Sequence, residues 1–369
     1  MQGGLLRLLD ATLGRMIYYA FFLLCPLAPK TCKGDILAIK LWAMGDSIDA
    51  LPAMQALKKA LPGRRLAVLC TKNNEAVFRL SGIADYLIIM DYKNPVSAAQ
   101  TFALLAKKGF SVCADFEPFA YVSAALAFAS RAKTRLGFSN RKLLYTKIAD
   151  PQKIHVVENF MNLPRLLAPA PSIRTLLRLY VSRNARAKAK RLLPVGKLIG
   201  LHPGSSSSSK IRRWDERNFA NLADSLACKH RATVVITGGR HDMKAAVSVE
   251  GMMKTNPVNL AGRIDIETLA ACMEKMSLFI ANDSGPMHLA AAMGVPTVGL
   301  FGPNKPELYG PYGPRCIGLY KGPQEPYIKP FKAEFPEKYM PEYDVNNITV
   351  KEALKASENL LARGNTRPL

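Results

Sequence analysis

The sequence has no C-x-x-C pair and no apolar run of about 20 residues, the length that spans a bilayer. Its seven cysteines, at positions 25, 32, 70, 113, 228, 272 and 316, are scattered, several of them inside apolar runs such as LAVLC and FSVCAD. That pattern fits small core residues in a reducing compartment and excludes a disulfide or zinc framework. The P-loop pattern, a G-x-G-x-x-G after a strand, H-E-x-x-H and G-x-S-x-G are all missing. Their absence argues against a P-loop NTPase, a dinucleotide dehydrogenase, a zincin and an α/β-hydrolase. No cluster has metal-ligand spacing. Acidic residues are scarce, 28 against 51 Lys and Arg, and the resulting charge of +23 calls for an anionic partner. Nucleic acid, a lipid surface and phosphorylated sugars all qualify on charge alone, but no recognition helix, RNP element or aromatic-interleaved basic stripe supports nucleic acid.

Residues 1–33 stand apart. The run Met16–Ala28 is apolar for 13 residues, with no A-x-A cleavage site after it and no lipoprotein pattern at Cys25. It predicts an apolar or amphipathic helix, either lying in a membrane interface or docked on the protein's own body. From residue 34 a regular rhythm begins. DILAIKLW, RLAVLC, YLIIMD and FSVCADF are short apolar β runs separated by helical stretches, and a second series runs through KLIGLHPG, ATVVITGG, NPVNLAG, MSLFIAND and PTVGLFGP. Such alternation predicts parallel sheets covered on both faces. Two doubly wound α/β domains are expected, 34–180 and 181–345, facing across a cleft at their strand carboxyl ends. The basic stretch 138–196 reads as the end of the first domain, a linker and an approach helix. Residues 346–369 predict a last helix, with Thr349 and Glu352 at capping-box spacing.

Four stretches carry candidate chemistry. In KLWAMGDSIDALPA, Asp46 follows a glycine at a strand–helix junction, and suits either an N-cap or a general base facing the cleft. In HPGSSSSSKIRRWDERNF, five serines precede Lys210, Arg212 and Arg213, so hydroxyls, backbone N–H groups and guanidinium forks converge where a phosphate would sit. A solvated serine loop is the competing reading. In ITGGRHDMKAA, Asp242 either caps a helix or holds a ribose hydroxyl. In FIANDSGPMHLAAAMG, Ser284 and Gly285 open a helix whose N-terminus favours an anion, with His288 in the first turn. A negative Asp283 would repel phosphate there, so it caps the helix or grips a sugar hydroxyl.

These stretches, IKLWAMGDSIDALPAMQALKKALP, GLHPGSSSSSKIRRWDERNFANLADSL and NDSGPMHLAAAMGVPTVGLFGP, resemble glycosyltransferase family 9, the lipopolysaccharide heptosyltransferases, over about residues 34–311 in matching order and spacing. The resemblance implies a GT-B fold of two Rossmann-like domains, an acceptor domain and then a nucleotide-sugar domain, and an inverting transfer of heptose from ADP-heptose to a lipid-linked acceptor with no metal or other cofactor. It assigns the general base to Asp46, a diphosphate-binding cation to Arg212 with Arg213 beside it, and donor binding to Asp283, Ser284, Gly285 and His288. Domain closure would bring the two sides together. A transferase using a different nucleotide sugar, or a nucleotide-sugar epimerase of the same fold, is the alternative. Trp42, Ala43 and the segment 312–345 depart from the family pattern. The charge, the first helix and the run 131–147, with six basic residues and no acid, fit a phosphorylated, membrane-embedded acceptor reached from the inner face of the cytoplasmic membrane.

Overall fold

Four- and five-residue runs of Ile, Leu, Val and Ala with no polar alternation fold as strands buried on both faces. In the computed structural model, which describes residues 10–24, 34–205, 212–325 and 340–363, β1 (Ile36–Ile39) and β2 (Leu66–Cys70) are buried at every position. They join β3 (Tyr86–Ile89), β4 (Val112–Asp115), β5 (Thr134–Phe138) and β6 (Lys147–Ala149) in one parallel sheet of order β3-β2-β1-β4-β5-β6. Ile36 pairs with Leu66 on one side and Val112 on the other. A second parallel sheet comprises β7 (Lys197–His202), β8 (Ala232–Ile236), β9 (Val258–Asn259), β10 (Met276–Asn282), β11 (Thr297–Phe301) and β12 (Cys316–Tyr320), in the order β12-β11-β10-β7-β8-β9. Read from its first strand, each sheet runs outward, returns to the start and then runs outward on the other side. The reversal falls between β1 and β4 in one sheet and between β7 and β10 in the other, and a ligand crevice belongs at the carboxyl ends there.

The described residues up to Ile173 form one compact unit and those from Arg174 onward a second. The division falls before the expected boundary at 180. Leu176 and Leu179 are buried, Arg178 pairs with Glu274, and the Ser182 backbone N–H donates to Glu267, so this stretch packs with the second unit. In the first unit the helix Met44–Ala60 is buried on nearly every side from Ser47 to Met54, with Ile48, Leu51, Met54 and Leu57 among its buried apolar side chains, and packs on the helix Val156–Arg165. Each such side chain contributes about 1.5–3 kcal/mol by leaving water. The strands β5, β6 and β12 were not expected from the sequence. Arg135 shows why: it sits within β5 yet is buried, its guanidinium donating to the Leu144 and Ala132 carbonyls. One of the six cations of the 131–147 run therefore faces the core.

The helix Arg15–Leu24, entered through a wider turn at Asp10–Gly14, docks on the first unit. Tyr18 is buried in the core with Leu126 and Phe128, and its hydroxyl accepts from the Leu143 N–H. The helix Tyr121–Ala129 has no side-chain cap at Ala120; Asp10 supplies it, accepting from the N–H groups of Tyr121 and Val122. The flanks of this expected segment, 1–9 and 25–33, lie outside the described residues, and among those described no helix is long and apolar enough to cross a membrane. The last helix, Val350–Arg363, opens with the expected box: the Thr349 N–H donates to the Glu352 carboxylate and the Glu352 N–H to Thr349 Oγ1. It completes the second unit's core through Ala353, Ala356, Leu360 and Leu361. Cys70, Cys113 and Cys272 are buried free thiols.

Candidate active site

At the crossover of the first sheet, β1 runs directly into Lys40, which is 1% exposed. Its ammonium donates to Glu117 Oε1 at 2.7 Å and to the Trp42 carbonyl at 2.9 Å. The same carboxylate oxygen accepts the N–H groups of Leu41 and Trp42, so a residue just past β4 gathers the end of β1. Asn74 donates to the Lys40 carbonyl and to Ser47 Oγ, which itself donates to the Ala43 carbonyl. These buried polar contacts hold Ala43 at φ 63°, ψ 118°, a left-handed conformation costing a side chain about 1–3 kcal/mol. The strained turn starts the helix at Met44 and puts Asp46 in its first turn, carboxylate 44% exposed and 3.9 Å from Lys40 Nζ. Asp46 is not the N-cap; that position is Ala43, with no side-chain cap bond. The geometry therefore offers an accessible carboxylate at the mouth of the sheet, with a buried cation behind it.

Beneath this turn Asp115 is fully buried, accepting from Tyr145 OH at 2.7 Å and from the Glu117 N–H at 2.9 Å. Burial pushes its carboxyl up to about 7, against the hydrogen bonds that favour the ionised form, and pushes the Tyr145 phenol up as well. Lys40, Asn74 and Glu117 were not picked out from the sequence. Lys40 closes the apolar run ILAIK and Glu117 closes VCADFE, but neither position tells which charge it meets.

In the second unit β10 ends on Asn282, which bridges the crossover: its amide donates to the Pro203 carbonyl just past β7, and its oxygen accepts the Trp214 N–H. Asp283 follows, accepting from Asn304 at 2.6 Å with Arg212 Nη1 at 3.7 Å. It does not cap the next helix. Ser284 is the N-cap residue, without a side-chain cap bond, and its hydroxyl donates back to the Asn282 carbonyl. The helix Gly285–Ala292 then carries His288, 5% exposed, near its start. Arg213 donates to Ser205 Oγ. Arg212, Asp283, Ser284, Gly285 and His288 thus share one rim of the sheet. Lys210 lies outside the described residues. Among those described, Arg212 Nε and Asn304 Oδ1 are buried without a hydrogen-bond partner, polar atoms left for a ligand or water to satisfy.

Asp242 sits at the neighbouring turn after β8. It accepts the Gly239 N–H, as a cap does, and lies 3.9 Å from Nε2 of His202, the buried last residue of β7. Gly204 makes the approach feasible, since a Cβ there would stand 2.2 Å from the Asp242 carboxyl carbon. Burial pushes the His202 imidazole down, opposed by the Asp242 charge. Among the described residues no group of three His, Cys, Asp or Glu is arranged to hold a metal.

A family model described as "Glycosyltransferase family 9 (heptosyltransferase)" matches residues 118–338. The lipopolysaccharide core heptosyltransferase OpsX of Haemophilus influenzae is 24% identical over 298 residues, covering 77% of this chain and 82% of that protein. Among solved structures, a glycosyl transferase family 9 protein of Veillonella parvula superposes with TM-score 0.76 at 23% identity, covering 91% of this chain and 99% of its own. The E. coli ADP-heptose lps heptosyltransferase II superposes with TM-score 0.73 at 20% identity, covering 90% and 100%.

Proposed function

The chain belongs to glycosyltransferase family 9, the heptosyltransferases, and from that premise we propose that it transfers heptose from ADP-heptose to a lipid-linked lipopolysaccharide inner-core acceptor with inversion. The observation that carries the reading is the carboxylate of Asp46, exposed at a strand crossover with the charge of Lys40 buried behind it. In this reading Asp46 takes the proton of the acceptor hydroxyl. The freed oxygen attacks the anomeric carbon of the donor, and the bond from that carbon to the diphosphate breaks with its electron pair leaving on ADP. Arg212, the N-terminus of the helix Gly285–Ala292 and His288 receive the leaving charge, the role that preorganised donors play best in a water-poor site. Asp283, tied to Asn304, is reserved for a sugar hydroxyl rather than the phosphates. A donor named in the E. coli relative, and a core acceptor named in the Haemophilus one, support the choice of substrates.

Two measurements test it. Release of ADP should require both ADP-heptose and a core acceptor; release from a different sugar nucleotide alone would overturn the donor assignment. Asp46→Asn should lower kcat at least about 100-fold while leaving ADP affinity near that of the parent. Equal loss of ADP binding would instead make Asp46 a structural residue.

A further inference from the structure

From Met16 onward the helix Arg15–Leu24 is apolar, yet among its described side chains one stripe is covered and the opposite one is not. Tyr18 is buried and Phe21 packs against the first core. On the opposite side Met16, Tyr19 and Leu23 are 71%, 44% and 77% exposed, and Leu13, in the turn before them, is 57% exposed. They recur at the spacing of one helix face, with nothing polar between them along the stripe. A helix apolar all round is stable where both faces leave water, and here the second face has not. Its surroundings are cationic. Arg15 lies over the Tyr19 ring, Arg141 over Tyr121 at 3.8 Å, and Lys142 is exposed beside Leu143, itself 37% exposed and hydrogen-bonded to Tyr18. The one acid of the segment, Asp10, is turned inward as a cap on Tyr121–Ala129.

We propose that the exposed face of Arg15–Leu24, continued by Leu143 and flanked by Arg15, Arg141 and Lys142, is a docking surface for an anionic phospholipid bilayer. Leu13, Met16, Tyr19 and Leu23 enter the boundary between headgroups and acyl chains, while the cations meet lipid phosphates. The inner stripe stays on the protein, so the helix lies in the interface as a rigid part of the first unit. This goes beyond the catalytic reading and does not rest on it.

Sedimentation of the full chain with vesicles needs neither donor nor acceptor, so its outcome is separable from the activity. The protein should bind mixed phosphatidylcholine–phosphatidylglycerol vesicles, and pure phosphatidylcholine vesicles far less. Met16→Glu with Leu23→Glu should weaken binding to the mixed vesicles at least about tenfold, with the melting temperature unchanged because both side chains face solvent. Arg15→Glu with Lys142→Glu should remove the preference for anionic vesicles; this pair decides the matter if the first pair lowers the melting temperature. Vesicle binding indifferent to both pairs, or no binding to either vesicle, would overturn the proposal. So would light scattering showing a dimer that the glutamates split, since a second copy would then cover the face.

Discussion

Asp115 keeps a carboxyl where no water reaches it. Its pKa of about 7, against 3.8 for an unburied group, means that the folded chain holds this proton over a window in which the unfolded chain has released it. Stability contributed by the protonated group is therefore present below about pH 4 and declines as pH rises towards about 7. Asp115→Asn, neutral throughout, should flatten that decline in denaturant titrations across the window; an unchanged pH profile would show that the proton is shared elsewhere. Single side chains also set the limit of sequence reading. Asp46, Arg212 and the Asp283–His288 stretch stood at visible breaks between apolar runs and glycines, so their placement was legible. Lys40 and Glu117 were not, because a charged side chain at the end of an apolar run looks the same whether it faces water or pairs 77 positions away.

That pair ties two strands, and its energetics belong to them jointly. Glu117 receives an ammonium and two backbone N–H groups, so it fixes the end of β4 against the end of β1 and sets the turn that presents Asp46. Lys40→Met would strand a buried carboxylate, at a cost of about 3–5 kcal/mol read from urea unfolding. Adding Glu117→Leu to Lys40→Met should recover much of that stability without restoring activity, because the turn loses its anchor; full recovery of turnover would remove Lys40 from any positioning role. Strand rhythm was readable wherever both faces were buried, as in β1, β2, β7, β10 and β11. It failed for β5, where Arg135 interrupts the apolar pattern, for the three-residue β6, which opens on Lys147, and for β12. Helix ends were readable where capping was local, as at Thr349, and not where the cap came from Asp10 more than 100 positions away.

The two units each own a sheet and a core, and the described residues read as donor-binding all fall on the second. Calorimetry should resolve two transitions, with ADP raising only that of the second unit. At about 100 times its Kd, ADP would add roughly 2.7 kcal/mol there. Asp46→Asn should leave this response intact, and an equal rise in both transitions would count against the assignment of the donor to Arg212, Ser284 and His288. The doubling itself was legible from two series of β runs, whereas the boundary was not, since residues 174–182 form no strand or helix of their own up to Ser182 and join the second unit through the Arg178–Glu274 ion pair and the buried Leu176, Leu179 and Val181.

Trp214 follows directly on the two arginines, and it is fastened by a much later stretch of chain. Its indole N–H donates to the Ile348 carbonyl, 134 positions on, while Asn346 accepts from the Asp215 N–H and donates to the Arg213 carbonyl. During synthesis, then, Arg213 and Trp214 are made more than 100 residues before the partners that fasten them. A chain ending before Val345 would lack the Ile348 and Asn346 contacts that hold Arg213 and Trp214. Synthesis order thus makes the fixing of this stretch a late event, after every strand of the second sheet has been made.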